Sequence, residues 1–360
     1  MLRPAGQFTT TTADWMRFAM FLMGDGKLDG SVFITPDLMR ARGVASTTQA
    51  SRAGLKAGYA LGLSRLDRYA SVGLCHSGNI IGFSALMCVY PDSGQAFLIS
   101  INTDSETADY QRIYKIIAGT LEHTALATPE TTLLAIDSTD WDGLYILEPN
   151  RFESFRYLDM VFGFARFEWK NGNLVFDPFQ GVTRELRPTG NYLLSANDRQ
   201  VNSHILLRDD NNIPLISDGY RTYKQVNPGL IYGLWLSLTL GVLGILWFLL
   251  AGIVAVIKKG VAGFITSQGI ALLGVLGLLV PIPFFFTQSF MALGDMTVAS
   301  VLLAGATVLL PFTMLVAFWK TLRVEVRKGI DNLHGIASIA TLQWCAVLFY
   351  FDMLPFRLWV

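Results

Sequence analysis

Residues 59–102 read YALGLSRLDRYASVGLCHSGNIIGFSALMCVYPDSGQAFLISIN. Three runs within this stretch, Ala70 to Cys75, Phe83 to Tyr90 and Gln95 to Ile101, are alternating or solidly apolar, with Gly-rich or Pro-Asp-Ser-Gly punctuation between them. That pattern predicts an antiparallel meander of β-strands. Between the first two runs stands His76-Ser77-Gly78. A histidine, a hydroxyl and a glycine at a strand end supply a proton-holding ring, a hydrogen-bonding OH and a backbone that a ligand can approach closely. Alone, the tripeptide reads more simply as a polar strand end with a glycine for its turn.

The order of signals around it gives it more weight. Upstream lie Pro4-Ala5-Gly6-Gln7-Phe8, then Thr11 and Thr12 before Asp14, a helical stretch, Thr35-Pro36 and Tyr59-Ala60-Leu61-Gly62; downstream lie Gly82-Phe83-Ser84, Pro91-Asp92-Ser93-Gly94 and a strand ending at Asn102. In that order they resemble the C-terminal third of the serine β-lactamase-like hydrolases, which include class C β-lactamases, penicillin-binding-protein-like peptidases and related esterases. The resemblance covers about residues 3 to 120 and rests on the ordered series, not on one motif.

The resemblance implies roles for four residues. Acyl transfer by a serine needs an activated nucleophile, a base and donors aimed at the developing oxyanion. His76-Ser77-Gly78 matches the family's third element, on a strand edging the cleft. By that match His76 supports the proton network, Ser77 binds the carboxylate or carbonyl end of substrate, Gly78 lets substrate lie along the strand edge, and the backbone N–H of Asn79 is the second oxyanion donor. Histidine stands where penicillin-recognising members mostly carry lysine, which weakens the case for β-lactam turnover because an imidazole is largely neutral at pH 7. The family's other two elements are missing: no lysine has a serine three residues before it, and no Tyr-x-Asn occurs. Tyr69-Ala70-Ser71 has the form of Tyr-x-Ser, but it stands seven residues before His76 and is read as coincidence. No Gly-x-Ser-x-Gly elbow offers another nucleophile.

Around the strands, the 360 residues carry no formal net charge, which gives no electrostatic reason to expect nucleic acid. An exported protein opens on a basic n-region and an apolar h-region. MLRPAGQFTTTTADW instead goes straight into what reads as a domain interior, so a fragment lacking its N-terminal half, or a misplaced start codon, is expected. Thr12 is the expected N-cap of a helix over Ala13–Met23, with Trp15, Phe18, Ala19 and Leu22 on one face and Gly24-Asp25-Gly26 ending it. Thr35 caps a second short helix with Pro36 at its first position. Ser105 to His123 reads as an amphipathic helix across the strands, with Tyr110, Ile113, Ile116, Ile117 and Leu121 on one face. Together these predict an α+β domain over residues 1–123, a partial β-lactamase-like antiparallel sheet with flanking helices.

Residues 124–139, rich in Thr, Ala and Pro, read as a linker. From 140 to 226 short alternating strands predict a small all-β barrel or sandwich, with hairpins about Asn171-Gly172, Pro188 to Asn191 and Asn211-Asn212. Such a domain is either a packing module without chemistry or a small binding barrel for lipid or glycan.

Beyond residue 226 the composition changes. Only 11 of the 56 Asp, Glu, Lys and Arg residues lie in the last 133 positions. Stretches of about 20 or more uncharged residues span a bilayer, which predicts four transmembrane helices near 230–257, 266–290, 297–319 and 335–353. Lys258 and Lys259 follow the first, and Lys320, Arg323, Arg327 and Lys328 lie between the third and fourth. The positive-inside rule places these loops in the cytoplasm and residues 1–226 outside. Trp235, Trp247, Trp344 and Trp359 are candidate interfacial anchors, Trp247 and Trp344 alternatively buried. His334 and Asp352, near the ends of the last helix, read as headgroup contacts, and the four spans read as an anchor.

A hairpin folded about residues 79–81 would set Cys75 opposite residue 85, so Cys75, Cys88 and Cys345 are all expected as free thiols. No Cys and His grouping has metal-ligand spacing, and no metal or other cofactor is expected. Two functional readings follow. The first is the C-terminal part of a membrane-anchored extracytoplasmic serine hydrolase acting on peptidoglycan-derived peptides, β-lactams or esters, with this chain alone inactive. The second is a non-catalytic envelope protein whose degenerate hydrolase lobe binds or scaffolds.

Overall fold

The computed structural model describes residues 10–67, 72–80, 82–103, 108–121, 138–150, 152–199, 201–289, 292–324 and 329–359. The 124–139 linker falls almost wholly outside these, as do Pro4–Phe8, Tyr69-Ala70-Ser71 and His123. The described residues divide into two compact units: 10–149 together with Gly163–Val226, and Asn150–Phe162 together with the residues from Asn227 onward.

The first unit begins with α1 (Thr12–Met23), capped by Thr11, one residue earlier than the sequence suggests, whose hydroxyl accepts from the Asp14 N–H at 3.1 Å. A small ribbon of β1 (Lys27–Leu28) and β2 (Ser31–Val32) follows, then α2 (Pro36–Ala41) behind Thr35 and α3 (Gln49–Arg52). The expected meander is a five-stranded antiparallel sheet in the order β3 (Gly58–Tyr59), β4 (Ser64–Leu66), β5 (Gly73–Ile80), β6 (Phe83–Tyr90) and β7 (Gln95–Ile101). Its two faces bury different sets, as a side-chain period of two requires. Met87, Val89 and Leu74 pack with Ala19 and Leu22 of α1; Leu86, Cys88 and Phe97 pack with Tyr114 and Ala118 of α4 (Tyr110–Ala118). On α1, Phe18 stays exposed, and on α4 Ile113 and Ile116 do, so both packing faces are rotated from those the sequence suggests.

Two expectations here are corrected. The first strand is not Ala70–Cys75 but Gly73–Ile80, so His76-Ser77-Gly78 lies inside a strand and not at its end. The turn into β6 falls between Ile80 and Phe83, with Gly82 at φ +83°, and this puts Cys75 directly opposite Cys88. The two form a disulfide, with Cα atoms 4.1 Å apart, and are not free thiols. Cys345 is a buried free thiol.

The all-β region is a closed barrel of eight antiparallel strands, not a sandwich: β8 (Gly143–Leu147), β9 (Ala165–Lys170), β10 (Asn173–Pro178), β11 (Arg184–Gly190), β12 (Leu193–Ala196), β13 (His204–Arg208), β14 (Pro214–Ser217) and β15 (Thr222–Val226). Each strand pairs with its sequence neighbours, and β15 closes on β8. Eight strands leave an interior that side chains can fill. Tyr145, Phe167, Leu174, Leu186, Leu194 and Ile216 do so here, each at most 1 % exposed. Asn171 and Gly172, both at positive φ, make the β9–β10 turn.

The sheet lobe and the barrel pack together within this unit. Ala50, Leu55 and Ala57 meet Ile205 of β13, and the Tyr220 hydroxyl donates to the Arg65 carbonyl at 2.8 Å. Gly219 lies so close to Ala57 that a Cβ there would come within 2.3 Å of the Ala57 carbonyl oxygen.

The second unit holds α5 (Arg156–Phe162), inserted between β8 and β9, and the apolar helices α6 (Pro228–Lys259), α7 (Ser267–Gly277), α8 (Ile282–Thr287), α9 (Val298–Leu322) and α10 (Gly329–Tyr350). Four segments are long and apolar enough to cross a membrane: Pro228–Ile265, Ser267–Thr287, Val298–Leu322 and Gly329–Tyr350. That is the make-up of a multi-pass membrane protein with a lipid bilayer around it. The second span breaks after Gly277 and restarts at Ile282, near Pro281 and Pro283, whereas α9 runs through Pro311. Glycines on α6 bring α10 close: a Cβ on Gly244 would stand 2.7 Å from the Ala337 carbonyl oxygen.

Candidate functional site

Strand β4 ends at Ser64, opposite Cys75, because the chain before it turns back through Ala60–Leu63, where the Ala60 N–H donates to the Leu63 carbonyl at 2.8 Å. From His76 to Ile80, β5 therefore pairs only with β6 among the described residues. Among the described residues its other edge is open.

The pairing also fixes what that edge presents. Ile80 and Phe83 flank a two-residue turn and form its closing hydrogen-bonded pair; directly opposed residues then alternate between bonded and non-bonded pairs. Gly78 and His76 fall on bonded positions, Asn79, Ser77 and Cys75 on non-bonded ones. The short 4.1 Å Cα separation at Cys75–Cys88 agrees with this phase. The N–H and C=O groups of Ser77 and Asn79 consequently point away from β6, into the open edge. Two amides about 7 Å apart along a strand match the repeat of an extended ligand chain.

The side chains of the four candidate residues do not all converge. Ser77 and Asn79 lie on the face covered by α4, and His76 on the face covered by α1, opposite Met87. His76, Ser77, Gly78 and Asn79 are all exposed. No side chain crowds Gly78: a Cβ there would meet nothing within 4 Å. The Asn79 side chain has a partner that the sequence did not suggest, since its Oδ1 accepts from the Ser84 hydroxyl at 2.7 Å, and Ser84 Oγ lies 3.2 Å from the Tyr114 hydroxyl of α4. Asn79 is thus pinned by its side chain while its N–H stays at the edge. Only the Ser84 link, inside one hairpin, could have been found from spacing.

Two further histidines are buried. His204 sits inside the barrel with Nδ1 2.8 Å from Ser203 Oγ, which also accepts the Ala196 N–H at 3.0 Å. The Ser203 hydroxyl, with one proton and two lone pairs, can donate to Nδ1 or accept from it, so either neutral tautomer satisfies the contact. Burial pushes His204 down to about 4; Asp218 opposes that, while Arg199 and Arg184 reinforce it. A neutral ring packed near Phe176 is a core group and not an acid–base catalyst at pH 7. His334, expected at the headgroups, is buried between three helices: the Trp247 indole N–H donates to Nδ1 at 2.9 Å, and the Gln268 amide lies 2.7 Å from Nε2. Trp247 is accordingly a bundle residue. Trp344 donates to the Tyr157 hydroxyl of α5 at 3.0 Å.

Among the described residues no group of three or more His, Cys, Asp or Glu side chains is placed to hold a metal ion. No family model matches the chain, and no curated protein does. Among solved structures it is similar to SurE bound to D-Leu (18 % identity, 60 % of this chain against 50 % of that one, TM-score 0.34) and to SurE alone (17 %, 54 % against 43 %, TM-score 0.30). The chain spans about half the length of these structures, and their likeness at this level carries no argument about fold or activity.

Proposed function

We propose that residues 10–121 are the substrate-edge lobe of a β-lactamase-like serine hydrolase, held at the outer face of a cell membrane by four spans. The observation that carries this reading is the open edge of β5, located at the residues to which the resemblance assigns substrate contact. An extended acyl substrate would add itself along that edge, as a peptide adds to a sheet. The Asn79 N–H would face the oxyanion, the Ser77 hydroxyl the substrate's carboxylate or carbonyl, and Gly78 would leave room for close approach. His76, on the other face, would act on protons from the opposite side of the strand. The serine nucleophile and its base would come from chain outside these residues. Peptides with a free C-terminus, β-lactams and esters are the substrate classes.

Two further points support the extracytoplasmic assignment. Disulfides such as Cys75–Cys88 persist in oxidising compartments. Basic residues cluster at one end of the spans, Lys258 and Lys259 in the last turn of α6 and Lys320 in the last turn of α9.

The second reading, a non-catalytic binding lobe, is favoured by one observation: the edge offers the backbone donors and acceptors of Ser77 and Asn79, whereas His76 lies on the opposite face of the strand from their side chains. Hydrogen exchange on the full chain in detergent, with and without an N-acyl-D-alanyl-D-alanine peptide, tests what both readings share. Slowed exchange confined to residues 73–80 is expected, and its absence there overturns both. A fluorescent penicillin or fluorophosphonate then separates them. Covalent labelling of the chain when it is joined to an upstream Ser-x-x-Lys segment supports the hydrolase; protection without labelling supports the binder.

A further inference from the structure

Among the cavities of the second unit, two flank the segment that follows α10 and have no role in the reading above. One, of about 230 Å³, is lined by Ser154, Asp352, Met353, Phe356, Arg357 and Trp359. The other, of about 370 Å³, is an apolar groove between α9 and α10, lined among others by Pro311, Phe312, Ala346, Phe349 and Leu354. Met353 and Phe356 line the first and Leu354 and Pro355 the second, so the segment from Met353 to Phe356 after α10 runs between them. That segment is fastened to α9, where the Phe356 N–H donates to Thr307 Oγ1 at 3.0 Å.

The chemistry of the two cavities is complementary along one line. The groove lies within two membrane-spanning helices, so its natural filling is hydrocarbon. The cleft beyond the end of α10 holds one guanidinium and one carboxylate, Arg357 and Asp352, and neither is ion-paired among the described residues. Beside them are the aromatic rings of Phe356 and Trp359, the residue type that settles at headgroup depth. An arginine presents a fork that fits a phosphate, a carboxylate accepts from an ammonium, and a ligand carrying both groups above an acyl chain is a zwitterionic phospholipid.

We propose that this cleft and groove form a binding site for one zwitterionic phospholipid, with the phosphate on Arg357, the ammonium on Asp352 and an acyl chain along the α9–α10 groove. By the positive-inside orientation the site opens to the outer leaflet. The lipid would brace the C-terminal segment against α9 and α10.

The test is native mass spectrometry of the full chain released from micelles containing equal amounts of dioleoyl phosphatidylethanolamine, dioleoyl phosphatidylglycerol and dioleoylglycerol. One retained phosphatidylethanolamine per chain is expected. Asp352→Asn and Arg357→Gln should each lower its retention about tenfold, the scale of one lost charge-assisted hydrogen bond. Ala346→Trp, which fills the groove, should lower it as well, while leaving competition by glycerophosphoethanolamine intact; competition by the headgroup without any groove dependence would mean a free-phosphate site and overturn the proposal. Equal retention of phosphatidylglycerol or dioleoylglycerol, no retained lipid on the parent chain, or retention unchanged in variants that melt like the parent would each overturn it too.

Discussion

Asp67 and Arg199, 132 residues apart in the chain, meet as a buried ion pair, Arg199 Nη1 to Asp67 Oδ1 at 2.8 Å. Asp67 follows β4 of the sheet lobe, and Arg199 lies in the β12–β13 connection of the barrel. The second Asp67 oxygen accepts the Val201 N–H at 3.0 Å, so the carboxylate stitches the two halves of one unit. Their side chains are only 3 % and 9 % exposed.

Breaking such a pair strands a charge away from water, so Asp67→Ala should cost about 3–5 kcal/mol. Replacing both partners together, as Asp67→Leu with Arg199→Met, should cost less than either single change. Chemical denaturation in detergent, as a double-mutant cycle, gives the numbers. A single Asp67→Ala change worth under about 1 kcal/mol would show that the pair is solvated.

The Cys75–Cys88 bond predicts the thiol count of the denatured chain. Alkylation in denaturant without reductant should modify one cysteine, Cys345, and three after reduction. Removing the bond by Cys75→Ala with Cys88→Ala should lower stability by about 2–3 kcal/mol, the scale for a loop of this length. Three alkylated cysteines before reduction would refute the pairing.

The buried His204 gives a pH dependence with a definite sign. Its folded value near 4 lies below the ordinary 6.5, so the unfolded chain binds a proton more readily between these values. The contribution is full above about pH 6.5 and is lost as pH falls toward 4, amounting to at most about 3 kcal/mol. His204→Gln should flatten the stability profile of the chain over that interval. An unchanged acid limb would show that His204 is hydrated in the folded state.

Asn79 separates a structural from a functional role. Asn79→Ala removes the acceptor for Ser84 and should cost about 1 kcal/mol. It leaves the backbone N–H at the open edge in place, so peptide protection of residues 73–80 should survive. Ser77→Ala should do the reverse, changing stability little because Ser77 is exposed, while weakening binding. Thermal melting and the exchange experiment read the two effects separately.

The meander, the Asn171-Gly172 hairpin and the four apolar spans were legible because each is a local pattern of period, turn chemistry or length. The barrel was legible as all-β, but its closure depends on β15 meeting β8 across some eighty residues, which no local signal encodes. The disulfide was missed because the turn was placed one to two residues early, and a shift in register of three changes every cross-strand partner. Helix α5 was hidden by its surroundings, a short helix between two strands in a region whose pattern is otherwise β. The burial of His334 depends on Trp247 and Gln268, 87 and 66 residues away, and its place near a helix end gave the opposite impression. In the candidate site the residue types were readable, while the phase that turns the Ser77 and Asn79 amides outward follows only from the position of the turn.

The insertion of α5 between β8 and β9 has a consequence for proteolysis. Among the described residues the chain passes between its two units three times, after Pro149, after Phe162 and after Val226. A protease that cuts between β15 and α6 therefore releases nothing: the barrel keeps two covalent connections to the membrane unit, and β15 stays hydrogen-bonded to β14 and β8. Releasing the barrel from the membrane unit would take at least three cuts, so a free form cannot arise by the single cleavage that frees a domain borne on one stalk.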